Sequence, residues 1–176
     1  MCYQPGNTIM DSEEKIKWCL KQKRGIKIVE PSDNLCKIYL EKAREALKAA
    51  IINSRYSINS WAISASYYAK YFSIYALLSK IGIKSEIHDC TIELFSFLFK
   101  DKVDEGLIKD IKRSKESRIE FQYYSPIIKP KVDHKKLESE TRKFIEEIEK
   151  LIENLKEEEI KEIRNRLKRM ELTRVN

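Results

Sequence analysis

Residues 58–80 are a helix-length stretch of the chain that is apolar on nearly every side. Two stripes of apolar and aromatic residues run along it at helical spacing, Trp61, Ala65, Tyr68, Phe72 and Tyr75 on one face and Ile63, Tyr67, Tyr71, Ile74 and Leu78 on the other. A helix with two opposite apolar faces is packed among other helices rather than laid on a surface. Glycine and proline are scarce, at four each, and no long segment alternates as strands do. We therefore predict an all-α bundle with this helix at its centre.

The remaining bundle helices follow from capping residues and apolar spacing. We predict a first helix over 12–23 with Ser12 as N-cap, and a second helix capped by Ser32 or Asp33. A fourth helix begins near Ser85, after Gly82 has ended the central one, and a fifth spans about 104–123. Residues 26–31, between the first two helices, are predicted to be extended or irregular.

The last quarter of the chain differs in pattern from the bundle. Residues 1–125 carry the bundle, and Pro126 and Pro130 mark a linker over 126–133. Residues 134–172 then show apolar positions at nearly heptad spacing, with an interruption between 155 and 160. We predict one long amphipathic helix here that packs on the bundle or on a partner subunit.

The cysteines and histidines do not form a metal-binding pattern. Cys2, Cys19, Cys36 and Cys90 include no C-x-x-C pair, and only two histidines are present. We interpret all four cysteines as reduced packing residues of a cytoplasmic protein, and predict neither a metal nor a cofactor. No apolar run is long enough to span a membrane.

Positive charge is concentrated in the first half of the chain. The formal net charge is +7, of which residues 1–88 contribute +6, with 14 basic and 8 acidic residues. Such a surface suits a polyanion such as RNA. A lysine-rich solvated surface without a nucleic-acid partner is the open alternative.

The central helix and the turn after it carry a family resemblance. The core A-x-x-x-Y-Y-A lies within residues 62–69, and a glycine followed by S-x-x-H comes at Gly82 and Ser85 to His88. Over about residues 12–124 the chain resembles the HEPN superfamily, and archaeal members in particular. The resemblance implies an up-and-down bundle of four to five core helices, a homodimer, and a function in RNA cleavage or in RNA or nucleotide binding.

The resemblance also directs attention to Arg118. Catalytic HEPN domains carry an Arg, four to six variable residues and a His on the last core helix, where the imidazole moves protons and the guanidinium stabilises phosphorane charge. Here the position where that His is expected is taken by Tyr123 or its neighbour, and a phenol is a poor base at neutral pH. Arg118 is thus a candidate RNA or nucleotide contact, with an ion pair to Glu116, to Glu120 or to a facing helix as the alternative.

A second group of candidates surrounds the turn before the fourth helix. His88, with Lys84 and Ser85 beside it, could form a phosphate-sized pocket at a helix N-terminus. Alternatively, His88 hydrogen-bonds a tyrosine of the central helix, and Ser85 serves as an N-cap rather than a nucleophile. His134 is predicted to be exposed near a helix start.

Three functions remain open from the sequence. The leading one is an RNA- or nucleotide-binding HEPN protein without the full catalytic motif. The resemblance implies that such proteins often act as the toxin of a toxin–antitoxin pair with a minimal nucleotidyltransferase, which can modify a tyrosine such as Tyr123 or Tyr124. The second is a metal-independent endoribonuclease that uses Arg118 and His88. The third is a structural or interaction module.

Overall fold

A computed structural model describes residues 11–124 and 132–172. Within these residues the chain forms seven helices and one two-stranded antiparallel sheet. In chain order the elements are α1 (Ser12–Lys21), β1 (Lys27–Ile28), α2 (Asp33–Arg55), α3 (Asn59–Lys80), β2 (Ile83–Lys84), α4 (His88–Phe99), α5 (Glu105–Tyr123), α6 (His134–Asn154) and α7 (Glu157–Leu172). The predicted all-α fold is confirmed.

Helix α3 lies at the centre of the bundle. It packs against α2, α5 and α6 along its length and against α4 near its middle, and Tyr67, Ile74, Leu77 and Leu78 are completely buried. Alanines and serines at its contacts, such as Ala62, Ala69 and Ser73, allow the neighbouring helices to approach. Trp61 differs from the prediction, since 61% of its surface is exposed. It lies in the first turn of α3, at the end of the bundle.

The first two helices begin at capping residues. Asp11, rather than the predicted Ser12, is the N-cap of α1, and it forms a capping box with Glu14. The Asp11 carboxylate can reach the free N–H groups of the first turn, whereas Ser12 already belongs to the helix. Ser32 caps α2 as predicted, accepting a hydrogen bond from the Leu35 amide.

The turn after α3 also differs from the prediction. Gly82 adopts a positive φ of 71°, and the chain then enters strand β2, which pairs with β1. Helix α4 therefore begins at His88 and not at Ser85. Ser85 is completely buried and donates to the Ile87 carbonyl rather than capping the helix, because its backbone still follows the extended strand.

The C-terminal segment, predicted as one long helix, is divided into α6 and α7. Leu155, at the C-terminus of α6, has an extended backbone, with φ −70° and ψ 121°. The Lys156 amide then donates to the Glu159 carboxylate in the first turn of α7. Phe144, Ile145 and Ile148 of α6 are buried in this chain's own core. The predicted linker prolines lie outside the described residues.

The prediction that all cysteines are reduced is wrong for two of them. Cys19 on α1 and Cys90 on α4 form a disulfide across a separation of 71 residues, with their Cα atoms 5.6 Å apart. The sequence places both on apolar helix faces, and packing these two faces together brings the sulfurs into bonding distance. Cys36 is buried as a free thiol, while Cys2 lies outside the described residues.

None of the helices in the described part of the chain combines the length and apolar character needed to cross a membrane.

Candidate functional site

Arg118 is held against three tyrosine rings between α3 and α5. Its guanidinium carbon lies 5.2 Å from the centroid of Tyr67, 5.5 Å from that of Tyr68 and 5.7 Å from that of Tyr123. Cation–π contacts of this kind attract the guanidinium to the ring faces. The rings also limit its rotation, so that Arg118 presents a fixed set of donors.

Only one nitrogen of Arg118 is used within the described chain. Nη1 donates to the Tyr68 hydroxyl at 3.0 Å and to Gln122 Oε1 at 3.3 Å. Nε is buried and has no hydrogen-bond partner, and Nη2 bonds no described residue. Nε–H and Nη2–H are the parallel pair that grips an oxyanion bidentately. An unused fork with one buried donor fits a phosphate or carboxylate.

Arg118 forms no ion pair within the described residues. The acidic neighbours proposed from the sequence, Glu116 and Glu120, are both exposed, and neither lies within salt-bridge distance. The ion-pair alternative for Arg118 is therefore not realised in the residues described. Nearby, Lys115 rather than Arg118 pairs with Asp89, in an exposed contact.

His88, the first residue of α4, stacks on the same tyrosine cluster. Its ring lies parallel to Tyr71 at 4.2 Å between centroids and edge-on to Tyr68 at 6.2 Å. Its Nδ1 is 2.5 Å from the Tyr67 hydroxyl. The predicted hydrogen bond between His88 and a tyrosine of the central helix is thus confirmed.

The Tyr67 hydrogen bond determines the tautomer of His88. Tyr67 is completely buried, and Nδ1 of His88 is the only partner of its hydroxyl among the described residues. Burial raises the pKa of the Tyr67 phenol far above its ordinary value, so the hydroxyl keeps its proton. That proton would be unsatisfied unless Nδ1 accepts it. The neutral imidazole therefore carries its own proton on Nε2, which has no partner in the described chain.

The surroundings of His88 favour this neutral form. Partial burial, and next the positive charge of Arg118, lower the pKa of the imidazole below its ordinary 6.5. At neutral pH, His88 then offers an uncharged Nε2–H donor. Arg118 and His88 both contact Tyr67, which holds the guanidinium charge close to the imidazole.

The five predicted site residues separate into two groups. His88, Arg118 and Tyr123 gather around Tyr67 and Tyr68, and Tyr123 keeps 66% of its surface exposed. Lys84, the last residue of strand β2, instead pairs with Glu86 just after the strand, at 2.8 Å, and Ser85 between them is buried. We call the first group, His88, Arg118 and Tyr123 with Tyr67 and Tyr68, the tyrosine cluster.

Sequence reasoning misses two features of this region. It assigns Tyr67 and Tyr68 to the core, which holds for Tyr67, but both also orient the polar groups of the tyrosine cluster. Lys70, one turn further along α3, is only 3% exposed and lies 2.7 Å from Asp110 and 3.0 Å from the Ser114 hydroxyl. A lone lysine inside an otherwise apolar helix is the signal for it.

No group of three or more His, Cys, Asp or Glu side chains suited to a metal ion occurs in the portion of the chain that the structure describes.

Comparison with known proteins adds one match. The model of a family described as the HEPN domain matches residues 36–158, a region that runs from α2 through α6 and contains the whole tyrosine cluster. It extends past residue 124, where the resemblance seen in the sequence ends. Helix α6 therefore belongs to the matched region, in agreement with its buried side chains. No curated protein matches the chain.

Proposed function

The chain belongs to the HEPN domain family, and from that premise we propose that it binds RNA or a nucleotide through a phosphate held by Arg118. The unused Nε/Nη2 fork of Arg118, with its buried and unpartnered Nε, is the observation that carries the proposal. An oxyanion would bond Nη2–H first, and it would satisfy the unpaired Nε–H once the side chains that cover that atom move aside.

His88 and Tyr123 extend this phosphate site. The Nε2–H of His88 donates to a second phosphate oxygen or to a ribose hydroxyl. The exposed ring of Tyr123, stacked on the Arg118 guanidinium, offers a face to a base. Base stacking on aromatic side chains is tolerant of sequence and contributes about 1–3 kcal/mol per base.

The proposal is tested by equilibrium binding in EDTA. A fluorescently labelled twelve-nucleotide single-stranded RNA of mixed sequence is titrated with protein, and AMP is titrated separately by calorimetry. We expect Arg118→Gln to weaken both ligands at least tenfold, since about 1.5–3 kcal/mol is typical of a hydrogen bond to a charged group. Arg142→Gln, which removes an equal charge from the exposed face of α6, is the matched control. Equal affinity of wild type and Arg118→Gln would contradict the proposal.

RNA cleavage without a metal is the second candidate, and the proximity of His88 and Arg118 favours it. In that reaction a base takes the proton of the 2′-hydroxyl and the 2′-oxygen bonds to phosphorus. The bond to the 5′-oxygen breaks, and that oxygen is protonated as it leaves. Nε2 of His88 would have to accept the first proton, whereas the Tyr67 hydrogen bond leaves a proton already on Nε2. The tautomer thus supports binding over cleavage.

The same labelled RNA separates the two candidates when it is analysed by denaturing electrophoresis after incubation. We expect intact RNA with the wild type. Fragments that disappear in both Arg118→Gln and His88→Ala would make the protein an endoribonuclease.

We further propose that the chain acts as a homodimer beside a minimal nucleotidyltransferase, as a toxin–antitoxin component. Family membership supports this proposal, as does the exposure of Tyr123 and Tyr124, at 66% and 68%, which leaves both hydroxyls accessible to a modifying enzyme. Light scattering on the purified chain tests the dimer. A monomer at micromolar concentration would contradict it.

A further inference from the structure

A groove lined by residues of α5 and α6 lies next to the tyrosine cluster along α5. Its end nearest Arg118 is a cavity of about 220 Å³. Ser117, the residue before Arg118, and Ser114, one turn earlier, both line it. A single ligand that crosses the C-terminal half of α5 would therefore meet both the cavity and Arg118, since four helical residues rise only about 6 Å.

The cavity is rich in hydrogen-bond donors. Lys70 on its floor donates to the Ser114 hydroxyl, which leaves the Ser114 proton free to donate in turn. The Ser117 hydroxyl, which also lines the cavity, hydrogen-bonds no other described residue. Arg113 and Lys136 stand at the rim as exposed cations. A ligand that supplies several acceptor oxygens fits this set.

The charges of the cavity also favour an anion. Three cations, Lys70, Arg113 and Lys136, face two carboxylates, Asp110 and Glu140. Asp110 is held tightly by the buried Lys70, at 2.7 Å. The two rim cations make only loose pairs, Arg113 with Asp110 at 3.5 Å and Lys136 with Glu140 at 3.9 Å. Both can turn toward a ligand without breaking a close ion pair.

The groove continues into a larger cavity with the opposite character. That cavity, of about 470 Å³, shares Asp110, Arg113 and Glu140 with the first and adds Asp104, Glu147 and Lys143. Four carboxylates there face two cations, which disfavours a polyanion. The donor-rich part of the groove is thus limited to the end beside Arg118.

We infer that this α5–α6 cavity is a second phosphate subsite, and that the ligand of the protein is a single-stranded RNA that crosses α5 rather than a mononucleotide. One phosphate lies on Arg118, and a neighbouring phosphate or ribose hydroxyl meets Arg113, Ser117 and Lys136. This inference rests on the proposed function and adds the length of the ligand to it. Two subsites on one strand also raise the salt dependence of binding, because each neutralised phosphate releases counterions.

The test compares ligand length with charge-matched variants. The double variant Arg113→Gln/Lys136→Gln is expected to bind the twelve-nucleotide RNA about tenfold more weakly than the wild type and to bind AMP equally well. The control Lys135→Gln/Arg142→Gln removes the same charge from exposed positions of α6 outside the cavity, and should change neither affinity by more than about twofold. All four residues are exposed, so the variants should fold, which circular dichroism checks.

A second readout distinguishes direct phosphate binding from general charge. The slope of log affinity against log salt should fall by about 0.7 for each phosphate of the single strand that the protein no longer neutralises, in the cavity variant but not in the control. Equal losses of RNA affinity in the two double variants would overturn the inference and leave the Arg118 proposal standing. A loss of AMP binding in the cavity variant would also overturn it. If the wild type binds neither RNA nor AMP, both proposals fail together.

Discussion

Tyr67 holds His88 in one tautomer because its buried hydroxyl has no other acceptor in the described chain. Arg118 contacts the same ring. A bound anion would offset the Arg118 charge, which after burial is the largest of the causes that lower the pKa of His88. The imidazole would therefore report on the proposed ligand binding, although its Nδ1 already has a partner.

We predict that His88 titrates below 6.5 in the free protein and that its pKa rises when RNA or AMP is added. NMR of the ring carbon-bound protons can follow this, because the chain has only two histidines, His88 and His134. Titration of His88 at or above pH 6.5 in the free protein would contradict the prediction.

The lowered pKa of His88 has a consequence for stability. The unfolded chain binds a proton more readily than the folded chain at this position. The free energy of unfolding should therefore decrease as the pH falls from about 6.5 to the folded-state value of His88, and this contribution is fully present above pH 6.5. His88→Gln should remove that part of the pH dependence in urea unfolding curves.

At the scale of secondary-structure elements, Gly82 and Arg164 join α3 to α7. One nitrogen of Arg164, Nη1, lies 2.6 Å from the Val29 carbonyl, 3.1 Å from that of Ile81 and 2.9 Å from that of Gly82. The guanidinium thus satisfies carbonyls at the C-terminus of α3, where a cation is also favoured by the helix dipole. This junction requires the Arg164 guanidinium and the Val29 carbonyl to lie close to the Cα of Gly82, where a side chain would not fit.

We predict that Gly82→Ala destabilises the protein by at least 1–2 kcal/mol, roughly the cost of a left-handed conformation for a residue with a Cβ. The added Cβ would also lie 2.0 Å from Arg164 Nη1 and 2.5 Å from the Val29 carbonyl oxygen. Urea unfolding measures the change. The control is Gly106→Ala, at a helical position of α5 where the Cβ meets only the Asp104 side chain closely, and it should change stability by less than about 1 kcal/mol. Similar values for both variants would contradict the prediction.

The type of most elements could be predicted from the sequence, but several boundaries could not. The two apolar faces of α3 fix its central place, and Ser32 marks the start of α2. The start of α4 was missed because the extended pairing of β2 with β1 depends on residues more than fifty positions apart. The separation of α6 from α7 had a signal in Glu157, Glu158 and Glu159, which suit a helix N-terminus and not the middle of one.

Only part of the candidate site could be predicted from the sequence, because the site also depends on contacts between residues that are distant in the chain. Arg118 and His88 stand out as residue types suited to phosphate chemistry, whereas their meeting at Tyr67 depends on how α3, α4 and α5 pack. The α5–α6 cavity combines residues from three helices, and no sequence spacing brings these together.

At the scale of the whole molecule, the disulfide connects α1 to the rest of the bundle. Helix α1 buries Ile16 and Leu20 in the main core and makes one long ion pair to α4, between Lys15 and Glu93 at 3.9 Å. The Cys19–Cys90 bond adds a covalent link between these helices. It closes a loop with a separation of 71 residues, and linking distant residues restricts the unfolded chain.

We predict that reduction of this disulfide lowers the free energy of unfolding by about 4 kcal/mol, the loop-entropy value for a loop of this length. For a chain of this size the melting temperature should fall by about 10 °C. Thermal unfolding with and without a phosphine reductant measures the change, and peptide mapping under non-reducing conditions identifies the Cys19–Cys90 bond.

Two variants separate the disulfide from other effects of the reductant. Cys19→Ser/Cys90→Ser should melt near the temperature of the reduced wild type and should not respond to reductant. Cys36→Ser, which removes a buried free thiol, should keep the full response. A wild type whose melting temperature is unchanged after complete reduction would exclude a stabilising role for the bond, and would leave burial of Ile16 and Leu20 as what holds α1 in place.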